Sequence, residues 1–116
     1  MIAHPPSDPE ERVYRTQDFR IADDTRVAPV PMYFGARFSA VTFTMLPGQV
    51  HEPHSHEDLT QAWFILEGTG EALLGGDRRE RVEAGTVIVH HPGQVHGIVN
   101  VGSEPLVYVN ISLKNV

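Results

Sequence analysis

Short runs rich in Val, Ile, Phe, Tyr and Thr, cut by Gly and Pro about every ten residues from Val13 onward, constrain this chain more than any other feature. No segment of useful length shows helical spacing. Many short β-rich runs with regular turn signals imply an all-β sandwich or barrel. The runs predict strands at residues 13–19, 32–35, 38–46, 60–67, 70–74, 78–82, 86–90, 97–101 and 106–113. Pro47-Gly48, the 67–70 stretch around Gly68, Gly75-Gly76, Glu83-Ala84-Gly85 and Pro92-Gly93 mark the joints. Glycine is therefore expected at the corners, where turns ask for positive φ, rather than inside strands.

A length of 116 residues suits one compact domain. Residues 1–12 hold Pro5, Pro6 and Pro9 among mixed charges, with almost no bulky apolar side chain, and read as a loose N-terminal arm that includes His4. Residues 13–116 form the domain. The start lacks a basic patch followed by an apolar run, and no window approaches eighteen apolar residues, so the expectation is a cytoplasmic protein without a membrane partner. A net charge of −6 with only nine scattered Lys and Arg argues against nucleic acid, whose phosphates need clustered cations. The absence of cysteine excludes disulfides, thiolate zinc sites, iron–sulfur clusters and a cysteine nucleophile.

Histidine is over-used, and six of the seven lie between residues 51 and 96: His51, His54, His56, His90, His91 and His96. In an extended chain His54 and His56, two apart, point to one face. Gln61 begins the next apolar run, a short turn away, and offers an amide oxygen. His96 follows a Pro-Gly turn at the head of another strand and offers a third imidazole. Three imidazoles and one oxygen suit a divalent transition metal, with nitrogen favouring Mn, Fe, Ni, Cu or Zn over Mg or Ca.

At these residues the chain resembles the cupin superfamily. The first cupin motif runs Gly, five residues, His-x-His, three or four residues, Glu, six residues, Gly, and is met by Gly48, His54, His56 and Gly68, with Gln61 where Glu is usual. The second runs Gly, five residues, Pro-x-Gly, two residues, His, three residues, Asn, and is met by Gly85, Gly93, His96 and Asn100, its proline moved by one to Pro92. The resemblance spans roughly residues 35 to 113. It implies a double-stranded β-helix, a small jelly-roll barrel with one metal (Mn, Fe, Ni or Zn) inside its mouth, held by His54, His56, Gln61 and His96.

Gln61 in place of Glu removes the only anionic ligand and leaves a stronger Lewis acid, poorer at holding a trivalent state. That favours redox-neutral isomerisation, cyclisation or lyase chemistry on a carbonyl or enediol substrate. Cupins with a similar ligand set include unsaturated-uronate isomerising proteins and polyketide cyclases. Two other readings stand beside it: a cupin dioxygenase using iron or another redox metal, and a non-enzymatic ligand-binding module. His51, Trp63 and His91 are the candidate pocket or catalytic residues. Trp63 shares strand parity with Gln61 and should face inward, whereas His51 reads foremost as a surface-loop residue and His90 and His91 as solvent-facing turn residues. Asn100, Gly68 and Gly85 are expected to shape turns. Tyr33, Tyr108, Arg37, Phe43 and Met45 complete the possible pocket residues. A small barrel with free edges is expected to form a homodimer, with residues 13–19 as the pairing strand.

Overall fold

The structure is a computed structural model that describes residues 5–114, so His4 lies outside the described residues. It is a jelly roll of nine strands: β1 (Ala28–Phe34), β2 (Phe38–Met45), β3 (Val50–His54), β4 (Leu59–Glu67), β5 (Thr69–Leu73), β6 (Arg79–Glu83), β7 (Val87–His90), β8 (His96–Asn100) and β9 (Leu106–Lys114). All pairings are antiparallel and fall into two sheets, ordered β1-β2-β9-β4-β7 and β3-β8-β5-β6. Apart from one short 3₁₀ turn, the described residues contain no helix.

The sheets face each other across a core of Met45, Trp63, Ile65, Ala72, Val82, Ile98, Leu106 and Tyr108. Strand β4 shows the alternation that builds it. Gln61, Trp63 and Ile65 are buried, while Phe64 and Leu66 stand exposed on the other face. Trp63 therefore points inward, beside Gln61, as its parity predicts. Tyr108, Phe43 and Met45 also face the interior, since Tyr108 lies directly opposite Phe43 and Met45 opposite Leu106. Tyr33 instead packs against Tyr14 and Phe38.

Three expectations are corrected. Residues 13–19 are not a strand: Thr16–Phe19 form a 3₁₀ turn with Asp18 N–H bonded to Arg15 O. The rings of Tyr14 and Phe19 meet at 6.3 Å between centroids, a contact that two side chains five apart on one strand cannot make because they face opposite sides. The segment joins neither sheet, and the local turn prevails over the β-rich composition. Second, β1 begins at Ala28 rather than residue 32, and β3 was not foreseen. Both carry proline (Pro29 and Pro31, Pro53), and both lie at sheet edges, where a missing N–H leaves no ladder bond unmade. Third, glycine is not confined to corners. Gly48, Gly68, Gly75, Gly76, Gly85 and Gly93 do occupy turns with positive φ, but Gly70 and Gly97 lie within β5 and β8.

Ser7 fastens the arm to β1. Ser7 N–H bonds Phe34 O at 2.9 Å, and the Ser7 hydroxyl accepts from Phe34 N–H at 3.0 Å, extending the end of β1.

Candidate metal centre

Register brings the histidines together. Strand β3 pairs with β8 so that His54 lies directly opposite His96, and the register shifts between His51 and His54. His56 follows in the connection to β4 and is tied down when Gly93 N–H bonds its carbonyl at 2.8 Å. The Pro92-Gly93 turn thus holds the His56 loop against the strand that starts at His96. Each of His54, His56 and His96 offers a ring nitrogen within 4.8 Å of the others. The rings of His54 and His96 are 4.4 Å apart, those of His54 and His56 5.0 Å, and those of His56 and His96 5.6 Å.

The tautomers follow from the hydrogen bonds. His96 Nδ1–H donates to Gln94 O at 2.9 Å, and His54 Nδ1–H donates to Glu52 O at 2.8 Å. A carbonyl oxygen can only accept, so in both rings the proton sits on Nδ1 and the Nε2 lone pair is left for a ligand. This is the usual arrangement around metal-binding imidazoles. Gln61 is 6 % exposed, and its amide nitrogen donates to Ser112 Oγ at 3.0 Å, leaving Oε1 without a partner.

Among the described residues, six buried side-chain atoms lack a hydrogen-bond partner, and five lie on this interior wall: Gln61 Oε1, Trp63 Nε1, His90 Nε2, His96 Nε2 and Asn110 Oδ1. Gln61 faces His90 across the β4–β7 pairing, and Trp63 faces Asn110 across β4–β9. Each such atom costs roughly 1–3 kcal/mol. Their concentration around three converging imidazoles fits a site built to receive a metal and its ligands, in which His96 Nε2 and Gln61 Oε1 are the natural donors.

The remaining histidines divide differently from expectation. His51 is not a surface-loop residue. It lies in β3, half-buried, stacked between Phe43 (5.0 Å) and Trp63 (5.4 Å) and 4.9 Å from the His54 ring. Its Nδ1 is 2.5 Å from the Tyr108 hydroxyl. Burial, with the nearby His54, His96 and His56, pushes His51 down to about 4, and burial raises Tyr108 well above its usual range. The phenol therefore keeps its proton and donates it to a neutral imidazole.

His90 and His91, adjacent in sequence, are separated by the strand end. His91 is exposed in the turn, where its backbone N–H bonds Gln94 Oε1. His90 is 3 % exposed, stacked 4.2 Å from His96 and edge-on to Trp63. The inward imidazole is thus His90, and the expectation placed on His91 is corrected. The run Val87-Ile88-Val89 is apolar at every position and shows no parity of its own. The signal was available only across the sheet, in the pairing of His90 with inward-facing Gln61. Asn110 and Ser112 were missed as polar lining for a similar reason, since β9 is buried on both faces from Leu106 to Asn110. Asn100 shapes its turn as expected: its amide nitrogen donates to Met45 O and Glu104 O, and its oxygen accepts from Gly102 N–H.

The depressed histidines tie stability to pH. Burial, with the nearby His96, His54 and His51, pushes His90 down to about 3, and burial is also the main cause that lowers His96. Unfolded histidine titrates near 6.5, so below that pH the unfolded chain binds protons that the folded chain refuses. The contribution is fully present above pH 6.5 and is lost as pH falls toward the folded values. Urea midpoints of metal-free protein are expected to drop from pH 6.5 to 4.5, approaching about 1.4 kcal/mol per pH unit for each depressed histidine. A midpoint flat across that range would show that His51 and His90 protonate freely in the fold.

Comparison with known proteins agrees with this architecture. The family model described as "Cupin domain" matches residues 41–112, and the chain belongs to that family. Among solved structures it is similar to a conserved protein with a double-stranded β-helix domain from Klebsiella pneumoniae, at TM-score 0.86 and 23% identity over 90% of each chain. It is also similar to an RmlC-like cupin from Desulfovibrio desulfuricans, at TM-score 0.71 and 25% identity over 95% of this chain and 97% of that one. A third is KdgF from Halomonas sp., at TM-score 0.70 and 20% identity over 97% and 96%. No curated protein matches the sequence. The described residues contain no helix long and apolar enough to cross a membrane.

Proposed function

We infer that this cupin is a metal-dependent enzyme acting on a small oxygenated molecule, with His54, His56, Gln61 and His96 holding one divalent transition metal. The observation that carries this reading is the pair of buried, unpartnered donors, His96 Nε2 and Gln61 Oε1, beside three imidazoles whose ligating nitrogens converge. When bound, the metal supplies Lewis acidity toward a carbonyl or enediol oxygen.

The chain's own residues do the rest. The carbonyls of Glu52 and Gln94 fix the rings of His54 and His96, and Ser112 orients the Gln61 amide. Trp63, 1 % exposed, closes the inner wall against water together with Phe43. His51 is the group placed to hydrogen-bond a substrate oxygen. It is neutral at pH 7 and lies beside His54, and because its Nδ1 accepts from the Tyr108 hydroxyl, its ring proton sits on Nε2, which donates.

Redox-neutral isomerisation, cyclisation or lyase chemistry follows from a donor set without a carboxylate. Elemental analysis of purified protein, then assays of sugar acids and diketones with zinc or manganese under anaerobic conditions, tests this. Turnover without oxygen is expected. Oxygen uptake stoichiometric with product, seen only with iron, would replace it with the dioxygenase reading.

The homodimer loses its expected pairing segment, because residues 13–19 are no strand. A different surface supports it. Edge strand β7 exposes Val87 and Val89 on the outer face of its sheet, and Phe64 and Ala62 lie directly opposite them on β4. Such a contiguous apolar row is suited to a second copy of the same chain. Light scattering is expected to give about twice the 12.9 kDa chain mass, falling to the single mass in Phe64→Lys.

A further inference from the structure

The two sheets do not close along one flank. Strand β7 ends the five-stranded sheet, β6 ends the four-stranded one, and between them lies a cleft of about 570 Å³. That volume lies within the roughly 300–1,000 Å³ of small-molecule sites. Val82, a core residue, and Ile88, packed against the core, form its apolar walls, and His90 lines it where it approaches the metal centre.

The charge at its mouth is distinctive. Arg78 and Arg81 both line the cleft, and neither takes part in an ion pair among the described residues. Arg79, between them in sequence, is spoken for by Glu71 at 2.8 Å. In a chain of net charge −6, two uncommitted guanidiniums at one opening run against the overall balance. Glu80 is the one carboxylate on the lining, so the titratable side chains there carry a net single positive charge. Guanidinium groups favour carboxylates, which they bind in fork geometry.

His90 joins the cleft to the interior. Its ring is buried, stacks 4.2 Å from His96, and holds an unpartnered Nε2. We propose that the β6–β7 cleft binds a small monocarboxylic acid with an apolar body, its carboxylate at Arg78 and Arg81 and its far end against His90. The contact beyond His90, with the metal, rests on the function proposed above. The cleft itself does not.

The test is a titration of ¹⁵N-labelled full-length protein with benzoate, followed by backbone amide shifts, with uncharged benzamide as comparison. Benzoate is expected to move the amides of Val82, Ile88 and His90, and benzamide to bind about tenfold more weakly. Both arginines are exposed, so Arg78→Ala/Arg81→Ala keeps the fold, which its amide dispersion verifies, and it should weaken benzoate about tenfold while leaving zinc affinity unchanged. Equal binding of benzoate and benzamide, or full benzoate affinity in the double variant, overturns the proposal. His54→Ala/His96→Ala separates the two readings. Cleft shifts that persist there support the cleft whether or not the wild type binds zinc. Shifts that vanish with the histidines assign benzoate to the metal centre and overturn it.

Discussion

His96→Ala is expected to abolish metal uptake: purified wild-type protein should carry or take up about one equivalent of a divalent transition metal, and the variant close to none. The ring is 2 % exposed, its Nδ1–H is committed to Gln94 O, and its Nε2 has no other partner, so its lone pair has no use in the fold except toward a ligand. Loss of one of three converging imidazoles should weaken affinity by about 100-fold or more, since disturbing only the groups that orient such ligands costs 10- to 100-fold. Wild-type stability should rise on metal addition by about 2.7 kcal/mol when free metal is a hundred times the dissociation constant, and the variant should not respond. His91→Ala is the matched control, because His91 is exposed and outside the cluster. Equal metal content in wild type and His96→Ala, by elemental analysis after exhaustive dialysis, would refute the ligand assignment.

The contrast between His91 and His96 shows what the sequence could and could not disclose. The candidates His54, His56, Gln61 and His96 were readable because each sits in a short local pattern: a two-residue period, a short turn, and a Pro-Gly joint before a strand. The alternation in β4 settled the direction of Trp63 and Gln61 together. What stayed hidden depends on pairing across strands. His90 follows three apolar residues that look alike from either face, and only its register against Gln61 turns it inward. His51 looked like loop because Pro53 and the charged neighbours of β3 lower its strand propensity, yet an edge position accepts both. Residues 13–19 erred in the other direction. Their β-rich composition was real, but they pair with no strand, and a local turn joins Tyr14 to Phe19 instead.

Gly97 carries the same lesson to the backbone, and Gly97→Ala is expected to cost both stability and metal affinity. Gly97 sits inside β8 next to His96, where a side chain would be ordinary in most strands. Here a Cβ would lie 2.6 Å from His51 O and 2.9 Å from Pro53 N, both backbone atoms of β3 that cannot swing aside. The close approach is what seats the irregular stretch of β3 between His51 and His54 against β8 and sets His54 opposite His96. A methyl at Gly97 must push the strands apart. Forced overpacking of this kind costs typically 1–3 kcal/mol, read as a lower urea midpoint. The displacement also falls on the His54–His96 pair, whose rings are 4.4 Å apart, so zinc affinity should drop at least about tenfold even in variant protein that remains folded. Gly76→Asn is the control: Gly76 has positive φ, unlike Gly97, but a Cβ there meets nothing within 4 Å, and asparagine tolerates the left-handed region. If Gly97→Ala lowered stability yet bound zinc like the wild type, the β3–β8 contact would be a packing feature alone, and the alignment of His54 with His96 would have to come from the Gly93–His56 bond and the β3 edge instead.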